Sequence, residues 1–427
     1  MNLAVIGSGG REHAICYKLK QSPKIKRLIC MPGNAGTKNI AENIKVDIFD
    51  FDAVYEIVKK QKIDIVVIGP EQPLVDGIVD YLDKKNIKVF GPGKFASQLE
   101  GSKGFMKDLC KKYSIPTAKF GIFENFKKAS DFIDKNSVPI VVKADGLAAG
   151  KGVAICESIK EAKEKTKGIL QGKFKSSKKV VLEEFLEGEE LSYFVIVDES
   201  SYSFFGSAQD HKRVGEKDTG PNTGGMGAYS PNKILTIELE KKIKKKIIEP
   251  TLKAMKDLGY PYKGFLYAGL MIKKNEPYLI EYNIRMGDPE CQVLMMRLKT
   301  DLLKIIDCAT KNLLSKLKIE WNKNSCMTVV LCSKGYPGNY IKNTEIKNLS
   351  NIVSDRNNQI FHAGTYEKNN KIFSNGGRVL NITSVSKNLL EARNKSLDNL
   401  KKINWTDGFF RKDIGWKAIK KDENNRR

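Results

Sequence analysis

Short apolar runs alternate with amphipathic stretches over the first ninety or so residues. NLAVIG (2–7), RLICM (27–31), IDIVVIGP (63–70) and IKVFGP (87–92) read as strands, and the segments near 11–21, 51–61 and 73–85 read as helices. Strands separated by helices predict βαβ units and a doubly wound parallel sheet, hence an α/β fold. Ligands of such sheets lie beyond the carboxyl ends of the strands. Those ends carry GSGGREH (7–13), PGNAGT (32–37) and GPEQP (69–73). A helical pattern at 94–113 and the segment IPTAKF lead into a strand-rich region from 138 to 283, with VPIVVKA, GVAIC, KVVLEEFL, LSYFVIV, YSFFGSA, FLYAGLMI and PYLIEYN. A helix at 234–258 interrupts it, with Ile234, Leu239, Ile243, Ile247, Leu252 and Met255 at helical spacing. Its KKIKKK run reads as a solvated face. Helices at 290–316 close this region. From about 321 a third segment holds CMTVVLC, GGRVLNIT and a helix at 386–402, and the polar stretches 174–179 and 366–371 read as turns.

Length agrees with this division, because 427 residues correspond to about three domains of about 150 residues each. The formal charge of +24 invites a nucleic-acid reading, but of the 74 basic residues only 11 are arginine and 63 are lysine. Bidentate phosphate contacts and base readout favour arginine, so the charge reads as a lysine-rich surface and no nucleic-acid partner is expected. The eight cysteines include no Cys-x-x-Cys pair, and only His13, His211 and His362 supply imidazole, which argues against zinc, disulfide and His-rich metal sites. The chain opens on a strand without a basic leader, and no apolar run reaches the roughly eighteen residues of a membrane span. A cytoplasmic chain without a membrane partner is expected.

Four stretches carry candidate chemistry. Gly7-Ser8-Gly9-Gly10-Arg11-Glu12 is not a dinucleotide fingerprint, since glutamate stands where the third glycine belongs. A glycine-rich strand-to-helix turn still offers backbone N–H groups to a phosphate; a purely structural turn is the alternative. Lys143-Ala144-Asp145-Gly146-Leu147-Ala148-Ala149-Gly150-Lys151-Gly152 lacks the Walker A spacing, yet sets two lysines around a flexible loop between strands, as a cover for a triphosphate or as a plain hairpin. Glu281, Asn283 and Arg285 alternate at a strand end and so share one face. A carboxylate beside an amide oxygen suits Mg²⁺ and an arginine beyond them suits a transferring phosphoryl group, with a surface ion pair as the alternative. The run from Asp210-His211-Lys212-Arg213 to Gly224-Gly225-Met226-Gly227 reads as a long functional loop able to hold a zwitterion or an acyl phosphate.

Together with QLEGSK, EEFLEGEE, NGGRVL and RKDIGW, these motifs make the chain resemble the ATP-grasp superfamily and, within it, the phosphoribosylamine–glycine ligase family, over nearly the whole length. The resemblance implies an N-terminal preATP-grasp domain (1–102), a two-lobed α+β ATP-grasp domain (103–318, lid about 117–188) and a small C-terminal α+β domain (319–427). It implies ligation of glycine to 5-phosphoribosylamine in purine biosynthesis, with ATP as co-substrate, Mg²⁺ or Mn²⁺ as cofactor, a glycyl phosphate intermediate and a monomeric enzyme. By position, Lys103 and Lys143 resemble the lysines on the ATP phosphates, with Lys107 sharing that role one helical turn on. Gly146, Gly150, Lys151 and Gly152 resemble the lid; Glu183, Glu184, Phe185 and Leu186 the hinge that reads adenine; Glu190 the ribose contact. Glu281 and Asn283 resemble the metal ligands, while Arg285, Lys143, Asp210 and Asp288 stand as catalytic candidates. Candidate substrate contacts are Gly9, Gly10, Arg11, Asn34, Gly36, Thr37, Glu71, Lys212, Arg213, Asn222, Thr223, Gly224, Gly225, Met226 and Arg378. The strand YAGLMI offers no further acid for a metal, which leaves the protein ligand count open, and Met286 stands where an aromatic is expected. Another ATP-grasp carboxylate–amine ligase, or a nucleotide- or nucleic-acid-binding protein without turnover, are the competing readings.

Overall fold

The structure, a computed structural model, describes residues 1–148, 152–174 and 177–424. The expected parallel sheet is present, in the order Glu42–Asn43, Arg27–Pro32, Asn2–Gly7, Ile65–Ile68, Val89–Phe90, with all neighbours parallel. Alternation along its strands explains why both faces are covered. Ala4 and Ile6 pack with Val54, Val58 and Leu82 on one side, while Leu3 and Val5 pack with Ala14, Ile15 and Leu19 on the other. Helix Phe51–Lys60 starts where the Asp50 carboxylate accepts from Ala53 N at 2.9 Å, a cap worth about 1 kcal/mol. Helix Gly10–Lys20 is buried almost all round, because helix Glu290–Arg297 and strand Asn358–His362 close over its outer face.

Among the described residues, a second sheet of four antiparallel strands runs Phe120–Phe123, Val180–Glu184, Ile140–Ala144, Val153–Cys156, backed by helices Phe126–Asp134 and Ile159–Leu170. A nine-stranded sheet forms the body. It begins with Glu276–Asn283, Lys263–Lys273, Glu189–Asp198 and Tyr202–Asp210, passes through Gly227–Ser230, and continues into Ser325–Ser333, Arg378–Ser386 and Asn358–His362, with the short ninth strand Gly408–Phe409 also paired to Ser325–Ser333. The central and C-terminal regions, which the chain pattern separates at about 321, are thus joined within one sheet.

Helix 234–258 is present as Ile237–Ile243 and Glu249–Asp257 around a π-helical turn at Lys244–Ile248. The long glycine-dense loop is not unstructured: it folds as a hairpin, Arg213–Gly215 with Thr219–Asn222, followed by strand Gly227–Ser230. Of the stretch 366–371 expected as a turn, only Asn369 and Asn370 turn, between the paired strands Thr365–Lys368 and Lys371–Ser374. Residues 175–176 of the stretch expected as a turn at 174–179 lie outside the described residues. All eight cysteines are free, seven of them buried. Among the described residues no helix is long and apolar enough to cross a membrane.

Candidate active site

A cavity of about 1280 Å³ opens where the parallel sheet, the four-stranded lobe and the nine-stranded sheet meet. Its wall on the lobe side follows from strand register. Val141 faces Glu183 and Lys143 faces Val181 across the antiparallel pair, so Lys143 and Glu183 are diagonal neighbours on one face. Lys143 Nζ lies 2.7 Å from Glu183 Oε1 and donates to the Ile280 carbonyl at 3.4 Å. Lys103 Nζ donates to the Gly146 carbonyl at 2.9 Å, where the chain turns at φ +88°. Glu184, Phe185 and Leu186 line the same wall, with Gly152 and Glu190. Gly150 and Lys151 lie outside the described residues. Lys107 differs from expectation: it is fully buried, lies outside the cavity wall, and sits 2.9 Å from Glu183 Oε2 and 2.6 Å from Thr117 Oγ1.

The edge strand Glu276–Asn283, whose Ile280 carbonyl Lys143 reaches, brings Glu281 and Asn283 to the cavity, and Arg285 joins them from the bend just beyond its end. Gly269 stands opposite Glu281, and a Cβ there would come within 3.2 Å of its Cγ, so the glycine gives the carboxylate its space. Burial pushes the Glu281 carboxyl up, but Lys212, Lys143, Lys103 and Arg285 outweigh it and hold the group below its ordinary range. A carboxylate kept ionised beside an amide oxygen, with Lys103 and Lys143 lining the same cavity, fits a hard divalent cation that takes its other ligands from phosphate and water. Among the described residues no three His, Cys, Asp or Glu side chains form a cluster able to hold a metal alone.

Arg285 is anchored rather than free. Its Nε donates to Glu71 Oε2 at 3.1 Å and its Nη2 to Glu100 Oε1 at 2.8 Å, and Glu71 reaches Arg11 Nη1 at 3.8 Å. Arg285 holds the Glu71 carboxyl down to about 2 against burial, with Arg11 adding to the effect. Glu100 also accepts from Ile284 N at 2.8 Å, yet burial dominates and pushes it up to about 7, with Arg285 opposing and Glu71 adding. A carboxyl raised in the folded state stabilises fully below its ordinary range near 4.5, and that contribution disappears as pH rises through about 7. Glu100→Gln is therefore expected to gain stability relative to wild type as pH rises from 4.5 to about 7. Parallel melting-temperature profiles for the two proteins would contradict this.

The N-terminal turns are built inward. Glu12, in the place of a third glycine, fills the space between Gly7 and Gly69, where a Cβ would lie 2.5 Å and 2.2 Å from its side chain. Its carboxylate accepts from Gly9 N at 2.6 Å and pairs with Arg11 Nε at 2.6 Å, which occupies part of the expected phosphate site. Gly9 and Gly10 pack under Asp288, Gln292 and Asn381, outside the cavity wall. Asn34, Gly36 and Thr37 also lie outside it. Asn34 donates to the Ser8 and His362 carbonyls at 2.8 Å each, Gly36 abuts His13 and His362, and Thr37 Oγ1 accepts from Asn34 N. They join the first and third regions. Arg11 and Glu71 do face the cavity.

The glycine-dense segment forms the third wall and is clamped by the C-terminal RKDIGW motif. Arg411, 1% exposed, donates to Asp218 Oδ1 at 3.1 Å, to both Asp413 oxygens at 2.8 Å and to the Arg213 carbonyl at 2.9 Å. Gly415 N donates to His211 Nε2 at 2.9 Å, which places the ring proton on Nδ1, 3.2 Å from Asp218. Asp210, Lys212, Arg213, Asn222, Thr223 and Gly224 consequently line the cavity. Met226 does not: it is buried in the C-terminal core, and Gly225 packs on Pro289. Burial first, then Glu290, Glu190 and Glu281, push Asp210 up to about 8 against Lys212. Arg378 donates to the Gly224 and Asp288 carbonyls and lies 3.6 Å from the Asp288 carboxylate. Glu100, Glu290, Tyr267 and Tyr336 line the cavity although the sequence pattern assigns none of them a role; Glu100 and Tyr267 lie within QLEGSK and YAGLMI, but neither motif says which of its side chains turns toward a ligand.

A small antiparallel lobe facing a large sheet, with lysines on one wall and a carboxylate–amide pair on the other, places the chain among the ATP-grasp enzymes, which are ATP-dependent ligases. Phosphoribosylglycinamide synthetase models match residues 1–100 (N domain), 101–291 (ATP-grasp domain) and 326–417 (C domain). A phosphoribosylamine–glycine ligase of Brucella melitensis biotype 1 is 47% identical over 427 residues, covering 100% of both chains. The chloroplastic enzyme of that name from Arabidopsis thaliana is 49% identical, over 97% of this chain and 79% of that one. The crystal structure of phosphoribosylamine–glycine ligase from Thermotoga maritima aligns with a TM-score of 0.85 at 34% identity, covering 97% of this chain and 100% of that one. The chain belongs to the phosphoribosylglycinamide synthetase family, as its motifs suggested.

Proposed function

We propose that the cavity ligates glycine to 5-phosphoribosylamine at the expense of ATP, giving glycinamide ribonucleotide, ADP and phosphate in de novo purine synthesis. The observation that carries this reading is that Lys143, Lys103, Glu281 and Asn283 line one cavity, in a chain matched end to end by ligases of that name. Glu184 to Leu186 border the adenine, Glu190 the ribose, and the two lysines neutralise phosphate oxygens. Glu281 and Asn283 hold a divalent cation, Mg²⁺ or Mn²⁺, which when bound offsets the charge of the phosphate chain. Arg285, fixed by Glu71 and Glu100, faces the phosphoryl group in transfer. The γ-phosphoryl passes to a glycine carboxylate oxygen, the ribosylamine nitrogen attacks the carbonyl, and phosphate leaves. Asp210, in its ionised form, accepts the proton that the nitrogen loses; its raised value of about 8 confines that form to a minority of molecules at neutral pH, so the rate rises toward pH 8. No side-chain nucleophile is needed, so catalysis rests on positioning and charge neutralisation. A cytoplasmic monomer without nucleic-acid or membrane partners completes the reading.

Glycine labelled with ¹⁸O in its carboxylate should transfer one ¹⁸O to the released phosphate. Unlabelled phosphate would overturn the acyl phosphate route. Arg378 lines the cavity where the central and C-terminal regions meet and is assigned to the ribosylamine phosphate. Arg378→Ala is expected to raise KM for phosphoribosylamine by about ten- to a hundredfold. Because the same guanidinium holds two carbonyls, the melting temperature should fall as well. An equal rise in KM for ATP would contradict the assignment.

A further inference from the structure

Lys107 sits behind the phosphate-facing lysine, fully buried and away from the cavity, on the second turn of helix Lys103–Lys112. Its ammonium is fixed on two sides. Thr117 Oγ1 lies 2.6 Å away and in turn donates to the Leu279 carbonyl at 2.6 Å, while Glu183 Oε2 lies at 2.9 Å. The other oxygen of that carboxylate meets Lys143 at 2.7 Å. One buried carboxylate is therefore shared by two ammonium groups, of which only Lys143 borders the cavity. We propose that Lys107 is a positioning residue that takes up half of the Glu183 charge, so that Lys143 keeps a net positive charge for the ATP phosphates.

The charge count makes the idea specific. Lys107, Glu183 and Lys143 together carry one net positive charge. Removing Lys107 alone brings the group to zero and leaves Glu183 to hold Lys143 by itself. Removing the Lys107 and Glu183 charges together restores one positive charge, on Lys143. Burial favours the neutral form of Glu183, but Lys143 and then Lys107 hold it below the ordinary carboxylate range, in keeping with a carboxylate shared by both. A buried carboxylate that loses one of two cations interacts more strongly with the one that remains.

This inference rests on the reading of Lys143 as an ATP-phosphate contact, and steady-state kinetics of the full-length enzyme separate the two. Lys143→Met should raise KM for ATP by about tenfold or more, and an unchanged KM there would overturn the contact itself. Given that contact, Lys107→Met should raise KM for ATP by about tenfold with KM for glycine unchanged, and the double variant Lys107→Met/Glu183→Gln should return it to within about threefold of wild type. A merely structural Lys107 would give the single variant a lower melting temperature with KM for ATP unchanged, or a double variant no better than the single one, and either result would overturn the proposal. Should the single variant not fold, Glu183→Gln and the double variant are compared. On the same count the double variant carries the wild-type charge of one and Glu183→Gln carries two. KM for ATP within about threefold of wild type in the double variant, and no higher than wild type in Glu183→Gln, supports the proposal, whereas a KM about tenfold or more above wild type in either overturns it.

Discussion

Glu281→Gln is expected to lower ligation by about a thousandfold, an increase of about 4 kcal/mol in the barrier, while the protein remains folded. The size follows from position. Glu281 is the one carboxylate on the face shared with Asn283 and Arg285, and four cations around the cavity keep it ionised. Glutamine preserves volume and one acceptor oxygen but removes the charge on which a divalent cation depends. Stability should change little, because Lys103, Lys143 and Lys212 keep their contacts with Gly146, Glu183 and Glu190. Turnover within tenfold of wild type at saturating Mg²⁺, with an unchanged melting temperature, would contradict the assignment.

Arg285→Ala is expected to damage both turnover and stability. Its guanidinium lies between Glu100, whose side chain is 9% exposed, and Glu71, at 30%. Glu100, raised to about 7, is only partly ionised near neutral pH, and Glu71 is partly exposed, so leaving the two without their cation costs about 1–3 kcal/mol. Loss of a preorganised charge at a transferring phosphoryl group costs about a hundredfold or more in kcat. The two effects separate in the double variant Arg285→Ala/Glu100→Gln, where the unpaired charge is gone. Its melting temperature should recover while kcat stays low, and recovery of both would show that Arg285 acts only on structure.

Much of the fold was legible because its signals are local. The apolar strands of the first region and the glycine-rich turns at their ends follow from alternation and turn chemistry, and Glu281 and Asn283 share a face by strand period, whereas the expected strand stops before Arg285, which reaches the cavity from a bend. What stayed hidden depends on contacts far apart in the chain. Glu71 and Arg285 are 214 positions apart, and Arg411 and Asp218 are 193 apart, so no spacing announces either pair. Strand Gly227–Ser230 carries the body sheet into the C-terminal region, but its GAYS sequence at the end of a glycine run has no strand-like alternation. Lys107 illustrates a different failure. Helical spacing places it on the face of Lys103, but the helix leaves the cavity after its first turn, so the second lysine reaches Glu183 from behind. Asn34, Gly36 and Thr37 sit at a strand end where ligands are expected, and the C-terminal segment covers them instead.

The central claim is that one cavity couples ATP cleavage to joining an amino acid carboxylate and a phosphorylated ribosylamine. It is tested most directly by ADP release from the purified full-length chain with Mg²⁺ and ATP, adding glycine, freshly formed 5-phosphoribosylamine, both or neither. Sustained ADP release is predicted only when both are present, with one ADP per glycinamide ribonucleotide formed and no equal rate when alanine or serine replaces glycine. Release at the same rate with either substrate alone, or with both present but no glycinamide ribonucleotide formed, would contradict the account.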